Sequence, residues 1–246
     1  MHRCYLPTAQ WEQESHWVEG DEAKHALKVM RMRVGDQCEL FDGKGVSALC
    51  RIEQVDGSSR MLLHVEQLQA QDAFEALPDI TLALAIPKGS NMDLIVQKAV
   101  EMGVRRIVPL LTERTIVRLK AKEGASKREK WQRTVLEACK QSGVSLLPVV
   151  EEPVNLDAFL GRAQGGIKAC CAIVAHAKPM RELLEEQREA GGRELTILIG
   201  PEGDFSPKEY ALIEAAGYGA MSLGPIILRV ETAVFMAIAA ARYALG

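Results

Sequence analysis

The chain has 246 residues, 48% of them apolar and 26% charged, with a formal net charge of −3. This length allows one large domain or a small and a medium one, each with a real core. The near-neutral balance excludes a globally basic nucleic-acid binder but not a local basic face.

In chain order, residues 1–72 carry short β-like runs at Cys38–Phe41, Val46–Val55 and Met61–Leu68. Turn signals separate them: Val34-Gly35-Asp36, Asp42-Gly43 and Asp56-Gly57. Before them, Asp21–Val29 has apolar residues at helical spacing. Short strands joined by tight turns predict a small β-barrel. Gln69–Pro78 is polar, ends in proline and reads as a linker.

Residues 73–246 have another texture. The run Ile80–Ile86, apolar except for Thr81, suits a strand buried on both faces. The reading then alternates. Helices are expected at Asn91–Gly103, Lys127–Ser142, Asn155–Leu160, Met180–Ala190, Ser206–Ala216 and Glu231–Leu245, and strands at Arg106–Leu111, Ala169–Ala175, Leu195–Gly200 and Gly219–Leu223. Such alternation predicts an α/β domain built on a parallel sheet.

Six cysteines stand at 4, 38, 50, 139, 170 and 171, with no CxxC pair and no His cluster at zinc-ligand spacing. They read as reduced, mostly buried thiols of a cytoplasmic protein that needs no metal. The N-terminus lacks a secretory core, and the longest apolar run, Ala233–Leu245, is broken by Arg242.

Two segments can carry chemistry. Gly200-Pro201-Glu202-Gly203-Asp204-Phe205-Ser206 follows a strand, at the carboxyl edge where open α/β sheets bind ligands. Ser206, Pro207 and Glu209 form an S-x-x-E capping box with proline at the first helical position. Taken alone, such a turn is more often a plain strand-to-helix connection. The second segment, Leu223 to Ala233, is an apolar loop holding Arg229 and Glu231. Its charges need a ligand or each other, and a structural ion pair is an equal alternative.

Taken together, G-P-E-G-D-F-S and the later L-G-P-I-I-L-R-V-E-T-A resemble the two C-terminal motifs of the RsmE family of ribosomal RNA uridine-N3 methyltransferases. Lys88, Gln97–Val104, Ile107/Pro109, Thr112-Glu113-Arg114 and Glu137–Gly143 resemble earlier segments of that family. So do His25/Val29-Met30-Arg31 and Gly35-Asp36 with Phe41-Asp42-Gly43. Val144 stands where the family usually has Arg, Asp204 where it commonly has Gly, and Pro225-Ile226 where it has x-Arg.

The resemblance implies a PUA-like β-barrel (1–72) for RNA and a SPOUT methyltransferase domain (73–246) with a C-terminal trefoil knot. It also implies S-adenosylmethionine as cofactor, a homodimer, and 16S ribosomal RNA of the small subunit as partner. No membrane role follows. Cofactor contacts are expected from Leu198, Ile199, Gly200, Pro201, Glu202, Gly203, Leu223, Gly224, Ile227 and Leu228, with His176 at a strand end as a further candidate. Arg229 is expected to stabilise charge on the uracil, with Glu202 or Glu231 orienting it or acting as base. Arg31, Lys88, Arg114 and Arg118 are the RNA candidates. From Arg105 to Arg133 ten Lys/Arg face three acids, whereas residues 1–72 hold eight against twelve, so the attraction for RNA falls on the larger domain.

Other readings stay open at this point. One is a non-catalytic RNA-binding or ribosome-assembly factor on the same fold. Another is a paralogue acting on a different RNA. A Rossmann-type nucleotide enzyme would show G-x-G-x-x-G after its first strand, and Pro87-Lys88-Gly89-Ser90-Asn91 stands there instead.

Overall fold

The computed structural model describes residues 1–70, 77–119, 123–162, 165–189 and 191–246. Two compact units divide the chain: Met1–Glu75 with Leu136–Leu147, and Ala76–Val135 with Pro148–Gly246. Texture alone assigns Leu136–Leu147 to the C-terminal domain. In the fold this segment belongs with the first unit, through the buried Arg3. The Arg3 guanidinium donates to the carbonyls of Cys139 (2.7 Å) and Val144 (3.0 Å) and to Ser145 Oγ (2.7 Å).

In the first unit, β1 (Arg3–Tyr5), β2 (Ser15–Glu19), β3 (Gln37–Phe41), β4 (Val46–Asp56) and β5 (Arg60–Ala70) form one sheet of order β1-β3-β4-β5-β2. Only the β1–β3 pairing is parallel. Register shifts at Leu49/Cys50 and Ile52/Gln54 bend the long β4–β5 pair, and bulges of this kind curl a sheet. Alternation then sends Ala48, Cys50 and Ile52 inward onto Cys4, Cys38, Leu40, Met61 and Leu63. The expected helix Asp21–Val29 is split. An α-turn at Gly20–Lys24 (α1) continues as a π-helical turn at His25–Val29, and Arg31 follows at φ +57. The expected linker begins inside β5, whose last residues are Gln69 and Ala70. Residues 71–76 lie outside the described residues.

The second unit holds one wholly parallel sheet. Its strands are β6 (Asp79–Ala85), β7 (Arg106–Leu111), β8 (Val149–Val150), β9 (Val154–Asn155), β10 (Ile167–Cys171), β11 (Lys178–Pro179), β12 (Glu194–Ile199) and β13 (Gly219–Ser222). The order is β11-β13-β10-β12-β6-β7-β8, with β9 also paired to β7. Helices α2 (Asn91–Glu101), α3 (Glu123–Ser142), α4 (Leu156–Leu160), α5 (Met180–Glu189), α6 (Pro207–Ala215) and α7 (Val230–Leu245) complete the chain. The central β6 is buried from Leu82 to Ala85 and β12 from Leu195 to Ile199, as a sheet covered on both faces requires.

One strand is shorter than its sequence suggests. β10 ends at Cys171, and Ala172–Ala175 leave the sheet. Cys171 pairs with Ile199, the last residue of β12, and with Met221, one residue before the end of β13; Ala172 N still donates to the Met221 carbonyl (3.0 Å), and the ladder runs out there. The outermost short strands, β8, β9 and β11, carry too few residues for periodicity to reveal them.

Candidate active site

A cleft of about 840 Å³ opens in the second unit at the carboxyl ends of β10, β12 and β13. Three chain segments build it: Ala172–Ala175 after β10, the turn from Ile199 to Asp204 after β12, and Leu223–Val230 after β13. Lys88, between β6 and α2, and Asn91, the first residue of α2, close another side. Strand ends are where an α/β sheet leaves backbone groups unpaired, so position alone gives this cleft polar edges and apolar walls.

The turn after β12 is fastened from several directions. Ser206 caps α6: its Oγ accepts from Glu209 N, and Glu209 Oε2 accepts from Ser206 N (2.8 Å), which completes the expected capping box. Glu209 is buried, and its other oxygen accepts from Glu113 N (2.7 Å). Glu113 Oε2 accepts from Ser206 Oγ (2.8 Å). Arg114 donates to the Gly203 carbonyl (2.7 Å) and Glu202 accepts from Lys88 N (3.1 Å). A Cβ added at Gly200 would sit 3.1 Å from the Phe205 ring, so glycine is what lets this turn pack closely. Asp204 occupies the left-handed region at φ +59, and its Oδ1 accepts from Phe205 N (2.8 Å) and Tyr210 Oη (2.7 Å).

The segment after β13 differs. Gly224 takes φ +116, a conformation that other residues rarely adopt, and bonds only to the hydroxyl of Ser222. Ile226 and Ile227 are 74% and 76% exposed. Arg229 is exposed, and among the described residues its guanidinium has no hydrogen-bond or ion-pair partner. The ion pair with Glu231 that the sequence allows is therefore not formed. Glu231 lies near Asn91, whose Nδ2 donates to its Oε2 at 3.4 Å. The Cys171 thiol at the cleft is held neutral, because burial pushes it up to about 12.

Most expected site residues meet here, and a few do not. Ile199, Gly200, Pro201, Glu202, Leu223, Gly224, Ile227, Leu228, Arg229, Glu231 and Lys88 all line the cleft. Leu198 is fully buried under the sheet's end and reaches only the core. Gly203 lies outside the cleft, where an added Cβ would touch Arg114 at 3.6 Å. His176 falls five residues past the end of β10, on the exterior, paired with Glu214 at 2.9 Å. It lines a separate depression with Lys178 and Glu186. Arg114 is committed to the turn, whereas Arg118 is exposed beside a polar hollow with Lys208 and Asp157. Arg31 belongs to the first unit.

Sequence reasoning missed Asn91, Asp204, Ala172–Ala175 and the Glu113–Glu209 link. The capping box flagged Glu209, but nothing local indicated that its second oxygen reaches across to β7. Among the described residues no group of three His, Cys, Asp or Glu could hold a metal ion, and no helix is long and apolar enough to cross a membrane.

A parallel sheet with a partly apolar cleft at its carboxyl edge defines the class, an α/β protein with a ligand cleft. A family model described as an RNA methyltransferase domain matches residues 75–242, and one described as an RNA methyltransferase PUA domain matches residues 18–60. The chain belongs to the RNA methyltransferase family. Ribosomal RNA small subunit methyltransferase E of Aquifex aeolicus (strain VF5) is 31% identical over 218 residues, 87% of each chain. A structure of ribosomal RNA small subunit methyltransferase E from Neisseria gonorrhoeae, bound to S-adenosyl methionine, matches with a TM-score of 0.84. It is 32% identical and covers 99% of this chain and 97% of that one. A Legionella pneumophila methyltransferase in complex with bound SAM has a TM-score of 0.87 at 31% identity, over 98% and 97% of the two chains.

Proposed function

We propose that this enzyme uses S-adenosylmethionine to methylate N3 of one uridine in the small-subunit (16S) ribosomal RNA. The observation that carries the reading is the cleft itself. It brings Glu202, Arg229 and Glu231 together with the glycine turn in one recess. Its volume suits a nucleoside-sized ligand, with apolar walls for a purine and backbone groups at the strand ends for its edges. The residues present therefore fit S-adenosylmethionine. Ile199, Leu223, Ile227 and Leu228 would pack its base, and the backbone of Gly200 and Gly224 would approach closely. Its relatives with bound cofactor support the same assignment.

When bound, the cofactor supplies an electrophilic methyl group on a sulfonium, so the chain's residues need mainly to position and activate the acceptor. Uridine N3 carries a proton and is a weak nucleophile. Glu202 has one oxygen on Lys88 N and the other turned to no described partner, and it takes the N3 proton. Arg229, whose guanidinium has no partner among the described residues, stabilises the negative charge left on the uracil carbonyl oxygens. Glu231 orients that end of the cleft through Asn91. N3 lies on the Watson–Crick edge, so the target base must be unstacked and turned out.

The wider assembly belongs to the same proposal. The C-terminal segment is threaded as a trefoil knot, and two copies form a homodimer in the cytoplasm. Ile226, Ile227, Met236 and Tyr243 are exposed on or near α7, and an apolar surface of this kind suits burial against a second copy. The first unit acts as a PUA-like barrel, and Arg31, Lys88 and Arg118 contact RNA phosphates.

The test is direct. Small subunits from a strain lacking the gene are incubated with purified protein and methyl-labelled S-adenosylmethionine, and the RNA is digested for mass spectrometry. One 3-methyluridine at a single position is expected. Label on another base, or on another RNA, would assign a paralogous substrate, and cofactor binding with no transfer would make the protein an assembly factor.

A further inference from the structure

We infer that Asp204 is a specificity-determining residue that makes the cleft prefer S-adenosylmethionine over S-adenosylhomocysteine, the methylated donor over the spent product. This inference rests on the cofactor reading given above.

The two ligands share the same adenosine and the same amino-acid end. They differ in one methyl group and in one full positive charge at sulfur. Only a charge-sensitive feature of the cleft can separate them strongly. Five charged side chains line the recess: Lys88 and Arg229, and the carboxylates of Glu202, Asp204 and Glu231. Lys88 and Arg229 repel a sulfonium. Glu202 is exposed and has one oxygen held by Lys88 N, and Glu231 is shared with Asn91.

Asp204 is the short carboxylate among them, and it is fixed. Oδ1 is held at 2.8 Å by Phe205 N and at 2.7 Å by Tyr210 Oη. Burial, and then the hydrogen bond to Asp204, push the Tyr210 hydroxyl well above its usual range, so it remains a donor. Oδ2 has no hydrogen-bond partner among the described residues, and Asp204 is half-buried at the cleft wall. A fixed charge does not have to reorganise when a ligand of opposite charge arrives, which makes it more effective than a mobile one.

The backbone adds a second argument. Asp204 sits at φ +59, where glycine would stand without strain. A non-glycine residue in that region is retained when its side chain has a use. The bland alternative is that Asp204 only closes its own turn, since Asp tolerates this conformation and bonds the next N–H.

Asparagine separates the two. Asp204→Asn keeps the left-handed turn and an oxygen for Phe205 N and Tyr210 Oη, and removes only the charge. Calorimetry with S-adenosylmethionine and S-adenosylhomocysteine on wild type and variant is the measurement. The expected result is a fall of about five- to tenfold for S-adenosylmethionine, the size of one partly screened charge contact, and less than about twofold for S-adenosylhomocysteine. Asp204→Gly should fold, because the turn suits glycine, and should lose the same discrimination. Equal losses for both ligands, or no change for either, would overturn the role of Asp204 while leaving the cofactor reading intact. Wild-type protein that binds neither ligand overturns the cofactor reading and this inference with it.

Discussion

Two segments line the same cleft and are held in opposite ways. The turn from Gly200 to Ser206 is tied to Lys88, Glu113, Arg114, Glu209 and Tyr210 by hydrogen bonds between 2.7 and 3.4 Å. Among the described residues, Leu223–Arg229 has the Ser222–Gly224 contacts and the Arg229 carbonyl that starts α7 by accepting from Ala233 N, two isoleucines turned to solvent and a guanidinium with no partner. Part of the site is thus shaped before any ligand arrives, and part takes its contacts from what binds. A preorganised wall suits the small ligand that must be placed to within a fraction of an ångström. An unfastened loop suits a large substrate or a second subunit. Substitutions in the two segments should therefore fail in different ways.

The largest effect is expected in the loose segment. Arg229→Ala should lower the single-turnover methylation rate by about a hundredfold or more, with little change in cofactor affinity, as for loss of one aligned donor. Its melting temperature should hold, because the guanidinium has no partner to lose among the described residues. Arg229→Lys should rescue little, since a point charge does not reproduce the planar fork. Combining Arg229→Ala with Glu231→Ala should give additive stability changes, and a coupling between them would revive the ion pair and contradict the contrast.

Next in size is the fastened turn. Glu209→Ala leaves Glu113 N and Ser206 N without their acceptor in a buried place, at a cost of about 2–3 kcal/mol. Melting should drop by several degrees and S-adenosylhomocysteine affinity should fall with it. A lower melting point with unchanged affinity would mean that the link from β7 steadies the fold and leaves the cleft wall indifferent.

These two segments were also unequally legible in the sequence. The capping box at Ser206, Pro207 and Glu209 could be read because it obeys a local rule over four residues. β6 and β12 could be read because buried parallel strands leave near-continuous apolar runs. The link from Glu209 to Glu113 spans ninety-six positions, and no periodicity encodes it. The early end of β10 was illegible for a related reason, since Ala172–Ala175 are as apolar as a strand and only the neighbouring strand ends stop them. His176 was misplaced with them. In the first unit, β2 was hidden by Ser15, His16 and Glu19. Its burial comes through His16 and Val18, and its half-exposed Trp17 is covered by the Arg60 guanidinium at 4.0 Å. The resemblance located the cleft residues as a set. The geometry leaves Leu198, Gly203 and His176 outside the cleft lining and brings Asn91 and Asp204 into it.

A smaller effect is expected at Gly224. An added Cβ there would meet nothing within 4 Å, so substitution does not fill the cleft. The obstacle is φ +116, which an alanine adopts only with about 1–2 kcal/mol of strain. Gly224→Ala should weaken cofactor binding by about tenfold or less, with a melting temperature close to wild type because the loop is unfastened and can relax. A loss of stability as large as that of Glu209→Ala would show that this loop is held as firmly as the other.

The smallest effect is expected at His176, and it tests where the cleft ends. The ring bonds Glu214 at 2.9 Å, but the two side chains are 66% and 50% exposed, and exposed pairs of this kind contribute about 0–1 kcal/mol. The residue stands beyond Ala175 and lines a hollow separate from the one that holds Gly200 and Arg229. His176→Ala should therefore leave S-adenosylmethionine affinity and methylation rate within about twofold of wild type, with melting shifted by no more than a degree or two, the scale of a weak surface pair. A severalfold loss of affinity at unchanged stability would place His176 in the ligand's reach. That result would require the segment from Ala172 to His176 to close over the cofactor, and the fastened wall would then extend beyond the turn after β12.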